Sequence, residues 1–293
     1  MAKEEEEKKI NLFLIEEPEN HLHRSMQISL SLILFQNQKY QYLFLTTHSP
    51  YVLAEMDQVN LVRIYNEDKI VSKSVLYTVP PKFSSQRKML NRGLVEAIFA
   101  DKVLLVEGPS ENVLFGKVLS ELNPFYEADG VYILPVSGFG FRPYFEVLNA
   151  LHIKNVIKTD NDLGKIKGKE KYSVLGFLRL NNYIGKEILP KKPIDENGVE
   201  AKRNLYDSNK ITLDQIRKKY SFFLSRCSLE EDLDEVIHDQ MVQYLPKADG
   251  DPIGYLQDAK NNNMVKLVEK LTPEDCRTIY NHYNFACLKE VMS

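Results

Sequence analysis

Between residues 102 and 162, three short apolar runs alternate with two stretches of helical length. "KVLLVEG" leads into "SENVLFGKVLSEL", "GVYILPVSG" into "FRPYFEVLNAL", and "KNVIKTDND" closes the series. No other pattern in the chain restricts its fold so tightly. Strands separated by crossover helices do not pair as hairpins; they build a parallel sheet with helices against its faces. In such sheets the functional groups gather beyond the C-terminal ends of the strands. Glu107, Ser137-Gly138 and Asp160 all fall at that edge.

The edge is acidic. Glu107 and Glu111 stand four residues apart across a strand-to-helix junction. Both then address one side of a helix entrance, where the positive end of the helix dipole favours negative charge. Asp160 and Asp162 flank Asn161 after the third strand. Two carboxylates so spaced can reach one divalent cation, and hard oxygen ligands suit magnesium or manganese. Each pair has a bland alternative when read alone: a solvated helix residue for Glu111, an Asx-rich turn for "TDND". Together they concentrate negative charge that cations would neutralise.

Composition bounds the remainder. The 293 residues are 43% hydrophobic and 27% charged, as expected of one large or two ordinary globular domains. No apolar run reaches the roughly 18 residues needed to span a bilayer, so no membrane partner is expected. "MAKEEEEKKI" lacks the apolar centre of a signal peptide. Cys227, Cys276 and Cys287 have neither pairing parity nor metal-ligand spacing and read as free thiols of a reducing cytoplasm. With a net charge of −3, any nucleic-acid surface must be local. Lys154 and Lys158 flank the third strand, and Lys165, Lys167, Lys169 and Lys171 follow it. They could grip a DNA backbone; a solvated lysine-rich loop is the equal alternative.

On either side of the alternating segment the pattern changes. Upstream, "INLFLIEE" and "YQYLFLTTH" read as buried strands around a helix, "RSMQISLSLILFQNQ". A hairpin is expected around Asn66-Glu67-Asp68, then a linker, "VPPKFSSQRK". Downstream, "GKIKGKEKY" is expected to be mobile and residues 185–204 irregular. "TLDQIRKKYSFFLS", "LEEDLDEVIHDQMVQYL" and "NMVKLVEKLTPEDCRTIYNHYNFACLKEVM" carry helical periodicity.

The carboxylate pattern resembles the Toprim domain, the metal-binding module of topoisomerases, bacterial primases and OLD-type nucleases. That resemblance makes Glu107 a metal ligand or general base, with Glu111, Asp160 and Asp162 as further ligands. "LEEDLDEV" resembles a later acidic motif of OLD nucleases, which adds Glu230 and Asp232 for a second cation. Lys260, in "YLQDAKNNN", matches a family lysine that stabilises charge on the phosphate, so Glu107, Asp160 and Lys260 become the catalytic set. "NLFLIEEPENHLH" resembles the Walker B segment and D-loop of ABC-type ATPases, with Glu16 where aspartate is usual, Glu17 beside it and His48 of "LFLTTHSP" as the switch histidine. No G-x-x-x-x-G-K-[ST] and no ABC signature occur, so no ATP hydrolysis is expected of this chain alone.

Taken whole, the sequence is similar to the C-terminal portion of OLD-family proteins and, within them, to nuclease subunits of Gabija-type anti-phage systems. The resemblance implies an α/β fold: a Rossmann-like Toprim sheet with flanking helices, after a partial ABC-type ATPase segment and before a mainly helical C-terminal region. Residues 1–80 would be the ATPase part and 94–293 the Toprim region, with a Lys-rich insertion at about 164–210. It further implies a DNA endonuclease with two magnesium or manganese ions, regulated by ATP in the full-length protein. Its partners would be DNA, further copies of itself and a UvrD-like helicase subunit. A topoisomerase-like or primase-like Toprim enzyme and a non-catalytic assembly module are the alternatives.

Overall fold

The computed structural model describes residues 10–36, 41–67, 71–79, 93–136 and 140–293, with backbone alone at Glu67 and Lys260. The chain divides into two compact units, Met1–Phe99 and Ala100–Ser293.

In the first unit, β1 (Leu12–Glu16) and β2 (Tyr42–Thr46) pair in parallel, joined by α1 (Arg24–Gln36). A hairpin of β3 (Asn60–Glu67) and β4 (Val71–Thr78) follows, and then α2 (Gly93–Ala97). The hairpin forms where the sequence places it; its turn at 68–70 and the linker at 80–88 lie outside the described residues. The expectation that β1 and β2 are buried is not met. Leu14 is 73% exposed and Phe44 62%. The two strands form a sheet of their own, with no third strand among the described residues. A two-stranded sheet cannot cover both of its faces.

The second unit holds the alternating segment. β5 (Lys102–Val106), α3 (Pro109–Leu122), β6 (Val131–Pro135), α4 (Arg142–Ala150) and β7 (Lys154–Thr159) follow in the expected order. A short hairpin comes next, β8 (Leu163–Lys165) with β9 (Tyr172–Val174), leading directly into α5 (Leu175–Ile184). Then come α6 (Val199–Ser208), α7 (Lys210–Tyr220) and β10 (Phe222–Leu224). The chain ends in α8 (Leu229–Tyr244), α9 (Pro252–Asp258), α10 (Lys260–Val268), α11 (Pro273–Asn281) and α12 (Ala286–Met292). The sheet order is β10-β7-β5-β6, parallel throughout.

β5 lies in the middle of the sheet with Val103, Leu104, Leu105 and Val106 wholly buried, which is why its sequence is apolar without alternation. On one face Leu104 and Val106 join Leu114, Phe115 and Val118 of α3 in a core that also takes in Leu233, Met264, Ile279 and Leu288 from the C-terminal helices. Phe115 meets Phe285 edge to face at 6.1 Å. The long C-terminal helical pattern is cut at Thr272-Pro273. There the Thr272 side chain accepts from the Asp275 backbone and the Asp275 side chain accepts from the Thr272 backbone, a capping box that starts α11.

Three local expectations are corrected. The helix expected through residue 225 stops at Tyr220, because Ser221 takes a left-handed conformation (φ 56°) and Phe222–Leu224 pair with β7 instead. The lysine-rich stretch expected to be mobile contains the β8–β9 hairpin. Within the irregular stretch 185–204, residues from Val199 onward belong to α6.

Candidate metal centre

Parallel register places the site. Lys102 pairs with Lys154 and Leu105 with Ile157, so the residues after the two strand ends come side by side. Glu107 Oε1 accepts from Thr159 Oγ1 at 2.6 Å and from the Asp160 backbone at 2.9 Å. Asp160 is tied in turn to the next strand, accepting from Ser225 Oγ at 3.1 Å just past β10. Glu111 lies in the first turn of α3 and is buried. Glu230 lies in the first turn of α8, also buried, and accepts from Ser228 Oγ at 2.7 Å. Helix N-termini thus receive two of the acids, where the dipole offsets part of their charge.

The acids act on one another. Burial first, then the charges of Glu107 and Glu230, push Glu111 up to about 7. Burial again, followed by Glu107 and Glu111, holds Asp160 well above the usual carboxylate range. That is the signature of several carboxylates sharing a poorly solvated space. Their oxygens are hard donors, matched to magnesium or manganese, and their mutual repulsion is what a divalent cation relieves. The donor chemistry therefore fits a hard cation. As the side chains stand, no three His, Cys, Asp or Glu among the described residues are grouped so as to hold an ion.

A cation of the protein's own accounts for part of that. Arg179, on α5, donates through Nη1 to Glu107 and Thr159 and through Nη2 to Asp162 Oδ2 at 2.7 Å. α5 can start close to this edge because Gly176 has no side chain: a Cβ there would come within 2.9 Å of the Asp160 carbonyl oxygen. Arg179 follows three residues later on the same helix face. The sequence reading missed it. Its signal was faint: one charged residue in the helix "LGFLRLNNYI".

Glu107, Glu111, Asp160, Asp162 and Glu230 are thus linked by hydrogen bonds or by their fields. Asp232 is not among them. It is 1% exposed, and its oxygens are committed to Lys158 Nζ at 2.8 Å and to the Arg226 backbone at 3.0 Å. That corrects the expectation for Lys158 as well. Expected on a DNA backbone, it is 2% exposed and spends its ammonium on Asp232 and the Asn284 carbonyl (3.1 Å). Lys165, Lys167 and Lys169 are exposed on the hairpin that begins one residue after Asp162. Lys260 opens α10, and its side chain lies outside the described residues, as do Ser137 and Gly138.

In the first unit, Glu16 ends β1, Glu17 follows it, and His48 comes just after β2. His48 Nε2 and Glu17 Oε1 are 3.3 Å apart, and Glu17 adopts a left-handed backbone (φ 39°). Glu19, buried, accepts from Thr47 Oγ1 at 2.6 Å and from the His48 backbone at 3.0 Å, locking the two strand ends together. Glu16 is exposed.

Comparison with known proteins agrees with both units. Residues 98–162 match the Overcoming lysogenization defect protein-like TOPRIM domain, and residues 1–53 match an AAA ATPase domain. An Endonuclease GajA of Bacillus cereus (strain VD045) is 43% identical over 303 residues, covering 100% of this chain and 52% of its own. The chain is a relative of Endonuclease GajA along its whole length and carries an OLD-like TOPRIM domain. A second Endonuclease GajA, from Bacillus cereus (strain HuB5-5), is 24% identical over 227 residues, 66% of this chain and 32% of that one. The chain therefore spans about half the length, or less, of these curated relatives. Among solved structures, the C-terminal region of the Burkholderia pseudomallei OLD protein is 19% identical at a TM-score of 0.41, covering 67% of this chain and 100% of that one. That of the Xanthomonas campestris pv. campestris OLD protein is 20% identical at 0.39, covering 67% and 96%.

Proposed function

We propose that this chain carries the catalytic centre of a metal-dependent DNA endonuclease of an anti-phage defence system. One observation carries the reading. Two adjacent parallel strands end in Glu107 and Asp160, with Glu111, Asp162 and Glu230 close enough to raise or share their charge. The endonuclease activity for which the GajA relatives are named supports it.

Two divalent cations, magnesium or manganese, would supply Lewis-acid stabilisation of the attacking and leaving oxygens of a phosphodiester. The protein's own residues do the rest. Glu107 is oriented by Thr159 and the Asp160 backbone, so its carboxylate is positioned before any ligand arrives. Asp160 is held from the opposite side by Ser225. Glu111 and Asp162 complete the ligand set on the β5–β7 edge, and Glu230 adds a carboxylate from α8. Lys260 is assigned the phosphate charge that builds in the transition state. Lys165, Lys167 and Lys169 would lie along the DNA backbone. Glu16, Glu17 and His48 belong to nucleotide control: ATP bound by the full-length protein would regulate cleavage. A homo-oligomer that engages a UvrD-like helicase subunit completes the proposal.

The test is product analysis on duplex DNA. Wild-type protein is expected to leave hydrolysed ends with no protein–DNA adduct after denaturation, and Asp160→Ala is expected to leave the DNA intact while keeping its circular dichroism spectrum. A covalent adduct would point to a topoisomerase-like reaction. Undiminished cutting by Asp160→Ala would remove the assigned site.

A further inference from the structure

Arg179 sits where the proposed ligand set would need a metal. It bridges Glu107, after β5, and Asp162, after β7, with the two arms of one guanidinium. Burial opposes its charge, and Glu107 and Asp162 more than restore it. Each arm makes a charge-assisted hydrogen bond, stronger than a neutral one. Glu107 Oε1 already accepts from Thr159 and from the Asp160 backbone, so Arg179 adds charge to a carboxylate that needs no further positioning. Nor does Arg179 anchor its own helix: α5 is seated by Gly176 against the Asp160 carbonyl and by Phe177 and Leu180, both wholly buried. The guanidinium meets the cluster through hydrogen bonds and charge, and its side chain is 23% exposed, enough to leave the cluster.

We propose that Arg179 is a resident counter-cation of the carboxylate cluster, displaced when a divalent cation binds there. The inference rests on the metal-centre reading above. A cation and the guanidinium would draw on the same oxygens of Glu107 and Asp162, so each weakens the other by the same factor. Arg179 then keeps the acids compatible with folding when metal is scarce, and sets a threshold that metal must exceed.

The experiment is calorimetric titration of the full chain with manganese chloride, wild type beside Arg179→Gln and Arg179→Lys. Arg179→Gln is expected to bind the first ion about tenfold more tightly, within the usual range of such couplings, and to melt at lower temperature without metal. Arg179→Lys is expected to fall between the two. Equal or weaker binding by Arg179→Gln overturns the inference while leaving the metal centre standing; no manganese binding by the wild type overturns both. A readout in the wild-type protein covers the case in which Arg179→Gln fails to fold. The Arg179 side-chain Nε–Hε resonance, assigned by its loss in Arg179→Lys, is expected to shift on adding diamagnetic magnesium. A resonance unmoved at saturating magnesium overturns the proposal.

Discussion

Two acids that look alike in the sequence have opposite energetics. Glu111 is buried among like charges, and its pKa rises from 4.5 to about 7. An acid with a raised folded-state pKa contributes full stability below its unfolded value, and that contribution is lost as pH rises through the folded value. In metal-free protein the loss falls between about pH 4.5 and pH 7 and amounts to roughly 3 kcal/mol. Glu111→Gln, which fixes the neutral form, is expected to be the more stable protein at pH 8 by about that amount, and no more stable at pH 4. Urea denaturation at the two pH values in EDTA checks it; identical curves at pH 8 would contradict it. Asp232 is the reverse case, a buried carboxylate with a full partner at 2.8 Å. Removing one member of such a pair strands the other, at a cost of about 3–5 kcal/mol. Lys158→Met is expected to show that loss in urea, whereas a lysine held only in solvent would show almost none.

At the scale of elements, three strands of the sheet were legible and the fourth, at one edge, was not. β5, β6 and β7 read directly because a strand buried on both faces must be apolar along its length. β10 was hidden because three residues, "FFL", continue a helical pattern, and only the left-handed Ser221 separates them from α7. Lys158 was misread for a similar reason. A lysine is usually solvated, yet here it belongs to a run with Val156, Ile157 and Thr159 buried beside it, and its acid lies 74 residues away. Arg179 finds its partners 72 and 17 residues away, separations that no local pattern encodes. The β8–β9 hairpin carries the lysines proposed to lie along DNA. Replacing Lys165, Lys167 and Lys169 with alanine is expected to weaken DNA binding in calcium and to flatten its salt dependence by about three units of slope, one for each lost phosphate contact. Manganese affinity is expected to stay the same. An unchanged salt slope would take the hairpin out of the DNA path.

At the scale of the whole molecule, each unit brings residues from the ends of paired strands together. In the first, Glu17 meets His48 across β1 and β2; in the second, Glu107 meets Asp160 across β5 and β7. Both follow from parallel pairing, which carries sequence-distant residues to the same edge. The identity of those residues was readable in advance because strand ends are marked by the abrupt change from apolar to acidic. How the acids are neutralised was not readable, because Arg179 lies outside the motifs that name the family and Lys158 meets an acid 74 residues away. On the proposed reading, the second unit's acids form a cation site that cuts DNA. The measurement that reaches it most directly is nicking of supercoiled plasmid by the chain in magnesium, in manganese and in EDTA, beside Glu107→Ala. Cutting is expected in either metal, with none in EDTA and none by Glu107→Ala. Cutting that survives EDTA, or that Glu107→Ala retains, would contradict it.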